Sequence, residues 1–249
     1  MELVGKTVVV TGGGRDIGRA CSLRLAQLGA RVAINYFKSE GGADSAVAEI
    51  VAAGGEAFAL QGDMTDPVAV EALMAASVAR WDQPIYGLVH VTGGILGRKT
   101  LAEMDLAHWH AVIDLNATSY FIAVKAVLPH MTAGGSIVSI ASQAGRDGGG
   151  MGAVAYGASK GAMVTMTRGL AKELGPDIRV NAVCPGMIDT DFHNLFTKSE
   201  ARAATAKATP LKREGTSEEV ADLVGFLVGG RSSFITGANV DINGGLIFS

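Results

Sequence analysis

The sequence predicts an α/β fold in which a doubly wound parallel sheet of about seven strands carries helices on both faces. Short β-branched runs alternate with amphipathic stretches along the whole chain, which is the pattern of successive βαβ units. The 249 residues are 48% hydrophobic and 18% charged, which is enough apolar material for one substantial core. Because no linker rich in Pro, Gly or Ser interrupts the alternation, we expect one domain over residues 1–249.

The predicted strands and helices follow one another in regular order. Each strand is a short run rich in Val, Ile or Leu, and each helix repeats its apolar residues every three to four positions. The predicted strands are Thr7–Val10, Arg31–Ile34, Ala57–Leu60, Leu88–Val91, Ser136–Ile140, Arg179–Val183 and Asn239–Ile242. The predicted helices are Ile17–Leu28, Ala43–Ala53, Val68–Ala79, Leu106–Met131, Ala155–Leu174 and Ser217–Leu227. Such sheets bind ligands beyond the carboxyl ends of their strands, so motifs at those ends matter most.

Charge and cysteine content exclude several functional classes. With 21 basic and 24 acidic residues, the net charge of −3 gives no electrostatic case for nucleic acid or an anionic membrane. Cys21 and Cys184 are isolated and predict neither a disulfide framework nor a zinc site. The five histidines lack metal-ligand spacing, so we expect no metal. We see no signal-peptide pattern and no run near the ~18 apolar residues that span a bilayer, so we expect a cytoplasmic protein.

The first motif with chemical content is Thr11-Gly-Gly-Gly-Arg-Asp-Ile-Gly18, between the first strand and the first helix. Glycines let a backbone turn tightly and approach a pyrophosphate, whose charge is met by the helix N-terminus. Taken alone, the motif also fits an ordinary βα turn. Its place at the first βα junction of an alternating chain favours dinucleotide binding.

The second motif is Tyr156-Gly-Ala-Ser-Lys160, in which Tyr156 and Lys160 share one face of a helix. A neighbouring ammonium favours a phenolate, so Lys160 should lower the Tyr156 pKa from its usual value of about 10. Such a pair can pass a proton to or from a substrate oxygen. Without other support, the spacing also fits a half-buried helix face with a solvated tip.

Together these motifs resemble the short-chain dehydrogenase/reductase family, in the branch of the 3-oxoacyl-(acyl carrier protein) reductases and glucose dehydrogenases. The resemblance extends from about Gly5 to Gly245. It rests on the two motifs above and on Gly62-Asp63-Met64, Thr92-Gly93-Gly94, Asn116, Ser142, Pro185-Gly186 with Thr190, and Val240-Asp-Ile-Asn-Gly-Gly245, all in the family's order. It implies a single-domain Rossmann fold.

The resemblance also implies catalytic roles. Tyr156 would be the general acid in reduction and the base in oxidation, and Lys160 would tune its pKa and hold the nicotinamide ribose. Ser142 would donate to the substrate carbonyl and stabilise its developing charge, although a Ser here could also merely cap a turn. Asn116 would anchor a water that links Lys160 to solvent, a role compatible with a helix kink. The reaction would be hydride transfer between a nicotinamide and a carbonyl or alcohol.

The resemblance implies a long cofactor site. NAD enzymes of this class place an acid where Tyr36 stands, whereas this chain offers Arg15, Lys38 and Ser39 for a 2′-phosphate, so NADP(H) is favoured over NAD(H). Asp63 would hold the adenine, although it could be only a turn former. The predicted cofactor residues are Gly12, Arg15, Asp16, Ile17, Gly18, Tyr36, Lys38, Ser39, Asp63, Met64, Thr92, Gly93, Tyr156, Lys160, Pro185, Gly186, Ile188 and Thr190.

The chain departs from the family pattern at four places. Asp16 replaces the second glycine of the turn, where we expect it to cap the helix while Arg15 and Arg19 offset its charge. His90-Val-Thr-Gly replaces Asn-Asn-Ala-Gly, so side-chain hydrogen bonds must be rearranged. Ser142 and Tyr156 are 14 apart, about one residue more than usual, and Asp147–Gly150 can loop out. Residues 126–135 contain no Lys or Arg, which disfavours an acyl carrier protein substrate.

Several functions stay open at this point. An active oxidoreductase could act on a small or medium ketone, a 3-oxoacyl thioester or a sugar-like polyol. A non-catalytic dinucleotide sensor could use the same fold, but it would be free to lose Ser142, Tyr156 and Lys160. Residues 191–214 should close over the substrate, and the mix of Phe192, Leu195 and Phe196 predicts a partly apolar pocket.

The resemblance and the chain's tail predict a homotetramer. The helices around Asn116 and Tyr156 are rich in small and apolar residues on more than one face. Leu246-Ile247-Phe248 would form an apolar patch prone to association if left exposed. We therefore expect these three residues to be buried between subunits and to help shape the substrate cleft. A tail folded onto its own subunit is the alternative.

Overall fold

The computed structural model describes residues 2–248 and contains one parallel sheet of seven strands. Across the sheet the order is β3-β2-β1-β4-β5-β6-β7, and all neighbours run parallel. The predicted fold class is therefore confirmed. The strands are β1 (Thr7–Thr11), β2 (Arg31–Tyr36), β3 (Glu56–Gln61), β4 (Ile85–His90), β5 (Met131–Ile140), β6 (Ile178–Pro185) and β7 (Asn239–Ile242).

Helices connect the strands and cover the sheet. A π-helical turn at Asp114–Thr118 joins the fourth helix to the fifth, and 3₁₀ turns occur at Leu128–His130 and Gly230–Ser232. The α-helices are α1 (Asp16–Gln27), α2 (Glu40–Ala52), α3 (Pro67–Trp81), α4 (Leu106–Ile113), α5 (Ser119–Val127), α6 (Ala144–Asp147), α7 (Val154–Leu174), α8 (Asp191–Phe196), α9 (Ser199–Ala208) and α10 (Ser217–Val228).

Two apolar cores lie on opposite faces of the sheet, and β1 shows why. Successive strand side chains alternate between faces, so Val8 and Val10 enter one core while Val9 enters the other. The first core is shared with α1, α2 and α10, and the second with α3, α5 and α7. Burial on both faces explains why β1 reads as a continuous Val run.

The single helix predicted at Leu106–Met131 is divided in the structure. Asn116 lies in the π-helical turn, where its Nδ2 donates to the Val112 carbonyl over 2.8 Å and breaks the regular α-helical ladder. The prediction of a continuous helix is therefore wrong at this turn. It is also wrong at its carboxyl end, because Met131 already begins β5.

The same stretch bears on the expectation that no run in the chain approaches the ~18 apolar residues needed to span a bilayer. Among the described residues, Leu106–His130 is one helical segment long and apolar enough to cross a membrane by length and composition, with a mean hydropathy of 1.4 over 18 residues. The core helix of a globular protein meets the same criterion. Here Val112, Tyr120 and Val127 are fully buried, and the latter two belong to the second core.

The strand order places a crevice at the centre of the sheet. β1 lies between β2 and β4, so the connection after β1 leads to one side of the sheet and the connection after β3 crosses to the other. The carboxyl ends of β1, β4, β5 and β6 are adjacent there. Ligands bind at such a switch point in doubly wound folds, and the motif residues of the sequence follow these strand ends.

Candidate active site

A cleft of about 1720 Å³ opens at the carboxyl ends of the strands and brings most of the predicted site residues together. Two predicted residues do not line it: Asn116 lies behind one wall, and Tyr36 is buried in the first core. The predicted residues that line the cleft are Gly12, Arg15, Asp16, Ile17, Gly18, Lys38, Ser39, Asp63, Met64, Thr92, Gly93, Ser142, Tyr156, Lys160, Pro185, Gly186, Ile188 and Thr190.

The glycine-rich turn is built by close backbone approach. Gly12 has a φ of +63°, which favours glycine, and a Cβ on Gly18 would lie only 2.1 Å from the Gly12 carbonyl oxygen. Asn35, which the sequence reasoning missed, accepts from the Gly12 amide through Oδ1 over 3.1 Å and donates to the Gly62 carbonyl. This buried side chain therefore ties the turn to the ends of β2 and β3.

Asp16 does not cap α1, which corrects the prediction from the sequence. Its φ is +47°, and the residue at the cap position is Arg15, with no side-chain cap to the first helical turn. The Asp16 carboxylate instead accepts from the backbone amide of Asp191 over 3.0 Å. Arg15 offsets its charge at 3.4 Å as expected, whereas Arg19 pairs with Glu49 at 2.7 Å.

The end of β2 presents one cation to the cleft. Tyr36 does not face it, because its hydroxyl donates to Glu40 over 3.3 Å. Lys38 lines the cleft beside Phe37, and among residues 2–248 it has no carboxylate within 4.0 Å. Arg15 lines the same region and is half exposed, with its charge shared with Asp16.

Two further predicted groups flank the turn. Asp63 accepts from the amide and hydroxyl of Thr65 over 2.9 and 2.8 Å, so its carboxylate closes a local turn, which is the alternative that the sequence left open. On the other side of the cleft, a Cβ on Gly186 would lie 2.7 Å from the Cβ of Asn243. This close approach explains why a glycine follows Pro185 and how the Val240–Gly245 motif supports the cleft.

Ser142, Tyr156 and Lys160 converge on one wall of the cleft. Ser142 follows β5, and its Oγ accepts from the Ala144 amide over 3.1 Å. Tyr156 and Lys160 lie on α7, with the Lys160 Nζ 5.8 Å from the centroid of the Tyr156 ring. The extra residue between Ser142 and Tyr156 is accommodated after α6, where Gly148 and Gly149 both have left-handed φ values of +82° and +72°.

The electrostatics of this wall differ from the sequence expectation. Burial raises the pKa of Tyr156, and the Ser142 hydroxyl and the Arg98 charge oppose this rise. Burial also lowers the pKa of Lys160 to about 7, while its Nζ donates to the Ile140 carbonyl over 2.7 Å. The cation that acts on the Tyr156 pKa here is therefore Arg98, a residue of the loop after β4 that no motif in the sequence indicated.

Asn116 supports this wall from behind. Its Nδ2 donates to the Gly94 carbonyl over 2.8 Å, and its Oδ1 accepts from the Gly94 amide over 3.0 Å. Gly93 lies between Asn116 and Lys160, because a Cβ there would be 2.6 Å from the Asn116 Oδ1 and 3.0 Å from the Lys160 Nζ. Only glycine lets the loop after β4 pass between these side chains.

His90 rearranges the hydrogen bonds as the sequence predicts. This fully buried imidazole contacts the Thr11 hydroxyl through Nδ1 at 3.1 Å and the Ser119 hydroxyl through Nε2 at 3.2 Å. Burial and the Lys160 charge lower the pKa of His90 to about 3, so the ring is neutral at physiological pH. His90 thus joins the end of β1 to the helix that follows Asn116.

Residues 191–214 form the outer wall of the cleft through α8 and α9. Phe192, Leu195 and Phe196 line it, and the Phe192 ring lies 6.0 Å from the Tyr156 ring. Arg202 holds the segment together, since it bonds to Asp189 over 2.7 Å and to Glu214 over 2.8 Å. The apolar lining agrees with the sequence prediction, whereas the two helices were not predicted.

The described residues contain no group of three or more His, Cys, Asp or Glu side chains arranged to hold a metal ion. The cleft does fit a dinucleotide. The cleft extends from Lys38, just after β2, to Tyr156. No side chain caps the backbone amides in the first turn of α1, so these amides are available to bind a pyrophosphate.

Comparison with known proteins agrees with this geometry. A family model described as enoyl-(acyl carrier protein) reductase matches residues 12–247. A 3-oxoacyl-(acyl-carrier-protein) reductase of Synechocystis sp. is 37% identical over 249 residues, covering 98% of each chain. Glucose 1-dehydrogenase 2 of Bacillus subtilis is 33% identical over 256 residues, covering 98% of this chain and 96% of that protein.

Solved structures agree as well. A short-chain dehydrogenase of Burkholderia cenocepacia in complex with NADP superposes with a TM-score of 0.92 at 36% identity, covering 99% of each chain. This chain belongs to the short-chain dehydrogenase/reductase family. It is an oxidoreductase of that family, and the resemblance drawn from its motifs is confirmed.

Proposed function

We propose that this short-chain dehydrogenase/reductase interconverts a ketone and a secondary alcohol by hydride transfer with NADP(H). The observation that carries the proposal is the convergence of Ser142, Tyr156 and Lys160 on one wall of a cleft with dinucleotide dimensions. The nicotinamide supplies or accepts the hydride, and this chain supplies the polar groups around the carbonyl.

Each polar group has one proposed role in reduction. The Ser142 hydroxyl donates a hydrogen bond to the substrate carbonyl oxygen and stabilises its developing charge. Tyr156 donates its phenolic proton to the same oxygen, and Lys160 then returns a proton toward Tyr156. Because the pKa of Lys160 is about 7, its ammonium can release a proton near neutral pH. Asn116 would hold a water that links Lys160 to solvent. In oxidation the same steps run in reverse.

We propose a ketone with an apolar substituent as the substrate class. Phe192, Leu195 and Phe196 line the outer wall beside polar residues such as His193 and Asn194. The three apolar side chains offer an apolar substituent more contact than a polyol would gain. The absence of Lys and Arg from residues 126–135 disfavours an acyl carrier protein as the carrier. A free 3-oxoacyl thioester fits the apolar wall, whereas a sugar or polyol would leave hydroxyls facing aromatic rings.

A screen of NADPH oxidation tests the enzyme proposal against a non-catalytic dinucleotide sensor. The panel contains aliphatic and aryl ketones, short 3-oxoacyl thioesters and sugars, and Tyr156→Phe measures the background. We expect turnover above that background with at least one ketone or thioester. A protein that binds NADPH but oxidises it no faster than Tyr156→Phe with every carbonyl is a sensor, and the enzyme proposal then fails.

We propose that NADP(H) binds more tightly than NAD(H). Lys38 supports this preference because it is an unpaired cation in the described structure, and Arg15 and Ser39 line the same region. Calorimetric titration of both cofactors at one ionic strength is the test. Arg15→Ala with Lys38→Ala should weaken NADPH selectively by about tenfold, as expected for the loss of charge-assisted hydrogen bonds. Equal or tighter NADH binding by the parent would contradict the proposal.

We also propose a homotetramer in which Leu246, Ile247 and Phe248 are buried between subunits. Phe248 is 88% exposed in the single chain, whereas Leu246 lines the cleft and the Ile247 carbonyl accepts from Asn243 over 2.9 Å. Deletion of 246–249, which includes Ser249 outside the described residues, should loosen the assembly and reduce activity. Light scattering at matched concentration tests this. A monomeric parent, or unchanged mass and activity after deletion, would contradict it.

The remaining proposals concern organisation and setting. We propose that residues 1–249 act as one dinucleotide-binding domain in which residues 191–214 close over the substrate, because α8 and α9 form the outer wall of the cleft. We propose a cytoplasmic setting, because Cys21 and Cys184 are both free and buried, as thiols are in a reducing compartment.

A further inference from the structure

The short helix α8 is held at both of its ends by single side chains from outside its own segment. At its first residue, the backbone amide of Asp191 donates to the Asp16 carboxylate over 3.0 Å. At its last residue, the Phe196 carbonyl accepts from the Arg98 Nε over 2.9 Å. No residue of α8 is fully buried and Phe192 and Phe196 are only half-buried, so apolar packing alone does not fix this helix. The Asn194 Oδ1 in the middle of α8 also accepts from Arg202 of α9, so the two contacts at its ends are those made from outside residues 191–214 and share its attachment with Arg202.

Between these two ends, α8 carries the aromatic surface that faces the proposed proton donor. The Phe192 ring lies 6.0 Å from the Tyr156 ring and 5.4 Å from the Phe196 ring. A shift of α8 would therefore move the apolar wall against which a substrate must lie while its carbonyl meets Ser142 and Tyr156. The position of α8 sets the width of the cleft at that point.

Asp16 makes its contact with the Asp191 amide from an unfavourable backbone conformation. Its φ of +47° is a conformation that glycine adopts freely and that costs a side-chain-bearing residue about 1 kcal/mol. Its carboxylate makes no cap for α1 and points to Asp191 instead. Because Asp16 belongs to the glycine-rich turn, it joins the cofactor side of the cleft directly to the substrate side.

Arg98 is held just as specifically. Its Nη1 donates to the Met151 carbonyl over 3.1 Å while its Nε reaches Phe196, so one guanidinium bridges the loop before α7 and the end of α8. Within residues 2–248, no carboxylate lies within 4.0 Å of Arg98, so an ion pair does not explain its position. The planar fork of an arginine suits two carbonyl acceptors in fixed directions.

We propose that Asp16 and Arg98 are positioning residues that clamp the two ends of α8, hold Phe192 against Tyr156 and thereby set the fit of the substrate. The kinetic part of this inference rests on the proposed function, whereas the structural part does not. The clamp acts on substrate fit, so its loss raises the KM for the carbonyl substrate more than it lowers kcat.

Hydrogen exchange of the α8 amides, followed by mass spectrometry, tests the clamp without any need for turnover. Asp16→Gly removes the carboxylate and also relieves the positive φ, so it cannot fail through backbone strain. We expect α8 exchange about fivefold faster, as for the loss of one hydrogen bond of ordinary strength. Asp16→Asn keeps an acceptor oxygen and should exchange within about twofold of the parent by the same reasoning.

Two variants separate the roles of Arg98. Arg98→Lys keeps the charge but loses the fork, and Arg98→Met loses both. Both should speed α8 exchange about fivefold. Only Arg98→Met should move the alkaline limb of the pH profile of kcat to higher pH, because the Arg98 charge opposes the rise in the pKa of Tyr156. Lys99→Met is the matched control, since Lys99 pairs with the exposed Asp105 at 3.9 Å and makes neither of the hydrogen bonds that reach α8 from outside residues 191–214.

The kinetic arm measures the KM of the best substrate at saturating NADPH. Asp16→Gly and Arg98→Lys should each raise KM about fivefold, a larger change than either makes in kcat. If the two residues hold one helix, the double variant should resemble the worse single variant rather than the product of both. Unchanged α8 exchange in Asp16→Gly and Arg98→Lys would overturn the clamp, as would a strictly multiplicative KM effect. A protein without carbonyl turnover would instead refute the proposed function and leave the exchange result valid.

Discussion

The helix that carries Tyr156 and the helix that faces it are held in opposite ways. α7 has 21 residues and buries eight of them, Lys160 included, so the core of the protein fixes its position. α8 has six residues, α9 has ten, and neither buries any. Polar contacts from Asp16, Arg98 and Arg202 hold them instead. The groups proposed for the chemistry are thus rigid, while the groups proposed for substrate selection are attached more weakly.

This difference has a physical consequence for variation. A change near α7 must disturb close-packed atoms and costs both stability and proton transfer. A change in α8 or α9 alters contacts that water can replace, so it should act mainly on substrate binding. We call the wall formed by Ser142, Tyr156 and Lys160 the inner wall. The comparison therefore predicts that substitutions in the inner wall have large effects on kcat, whereas substitutions in the outer wall have small effects on KM.

Apart from that of Tyr156 itself, the largest effect tested by this comparison should come from Ser142→Ala. Loss of a hydrogen-bond donor aimed at a developing oxyanion costs about 10²–10³ in kcat, and we expect that range here. Ser139→Ala is the matched control, because Ser139 is a buried serine of β5 that does not line the cleft. A kcat within threefold of the parent for Ser142→Ala would remove Ser142 from the proposed mechanism.

The next largest effect should come from Gly93→Ala. Its Cβ would lie 2.6 Å from the Asn116 Oδ1 and 3.0 Å from the Lys160 Nζ, so the inner wall must shift. Displacements of about 1 Å near a reacting centre cost about 10²-fold in rate, and Tm should fall as well. Gly94→Ala serves as control, since its Cβ would meet Leu115 at an ordinary 3.6 Å. Similar kcat and Tm for both variants would mean that the inner wall is not rigid.

The smallest effect should come from the outer wall through Glu214. Hydrogen bonds from Arg202 lower the pKa of Glu214 below its ordinary value of 4.5. Because the folded pKa lies below the unfolded one, the stabilisation is complete above about pH 4.5 and is lost as the pH falls through the folded pKa. Proteolysis within 198–214 should therefore accelerate in acid, while the parent is insensitive to pH near neutrality.

Glu214→Gln should produce the same loosening at pH 7, by about threefold to fivefold, as expected for the loss of a partly exposed ion pair. Glu200→Gln is the matched control, since Glu200 is exposed on α9 and forms no ion pair among the described residues. Identical proteolysis rates for the two variants would show that Arg202 does not secure this segment.

The same contrast explains which features the sequence could predict. All seven strands were predicted because each is an apolar run in a regular alternation. Ser142, Tyr156 and Lys160 were predicted as catalytic residues because the motifs occur in the family's order, and they line one cleft, while their catalytic roles stay a prediction. The π-helical turn at Asn116 combines a local bond to Val112 with bonds to Gly94. The contact of Asp16 with Asp191 and that of Arg98 with Phe196 depend on partners far along the chain. Short-range periodicity carries no information about such partners. α8 was missed because six residues are too few for a helical period to register, and α9 because its only apolar residues are alanines.

The measurement that tests the central claim most directly compares chemistry and cofactor binding in Tyr156→Phe. This change removes one hydroxyl and keeps the ring that packs beside Phe192. If Tyr156 transfers the proton, kcat should fall by about 10²–10⁴, the usual contribution of a general acid or base. The Kd of NADPH should stay within about fivefold, because a lost hydrogen bond of ordinary strength costs about 1 kcal/mol. A kcat within a few-fold of the parent, with NADPH still bound, would contradict the assignment.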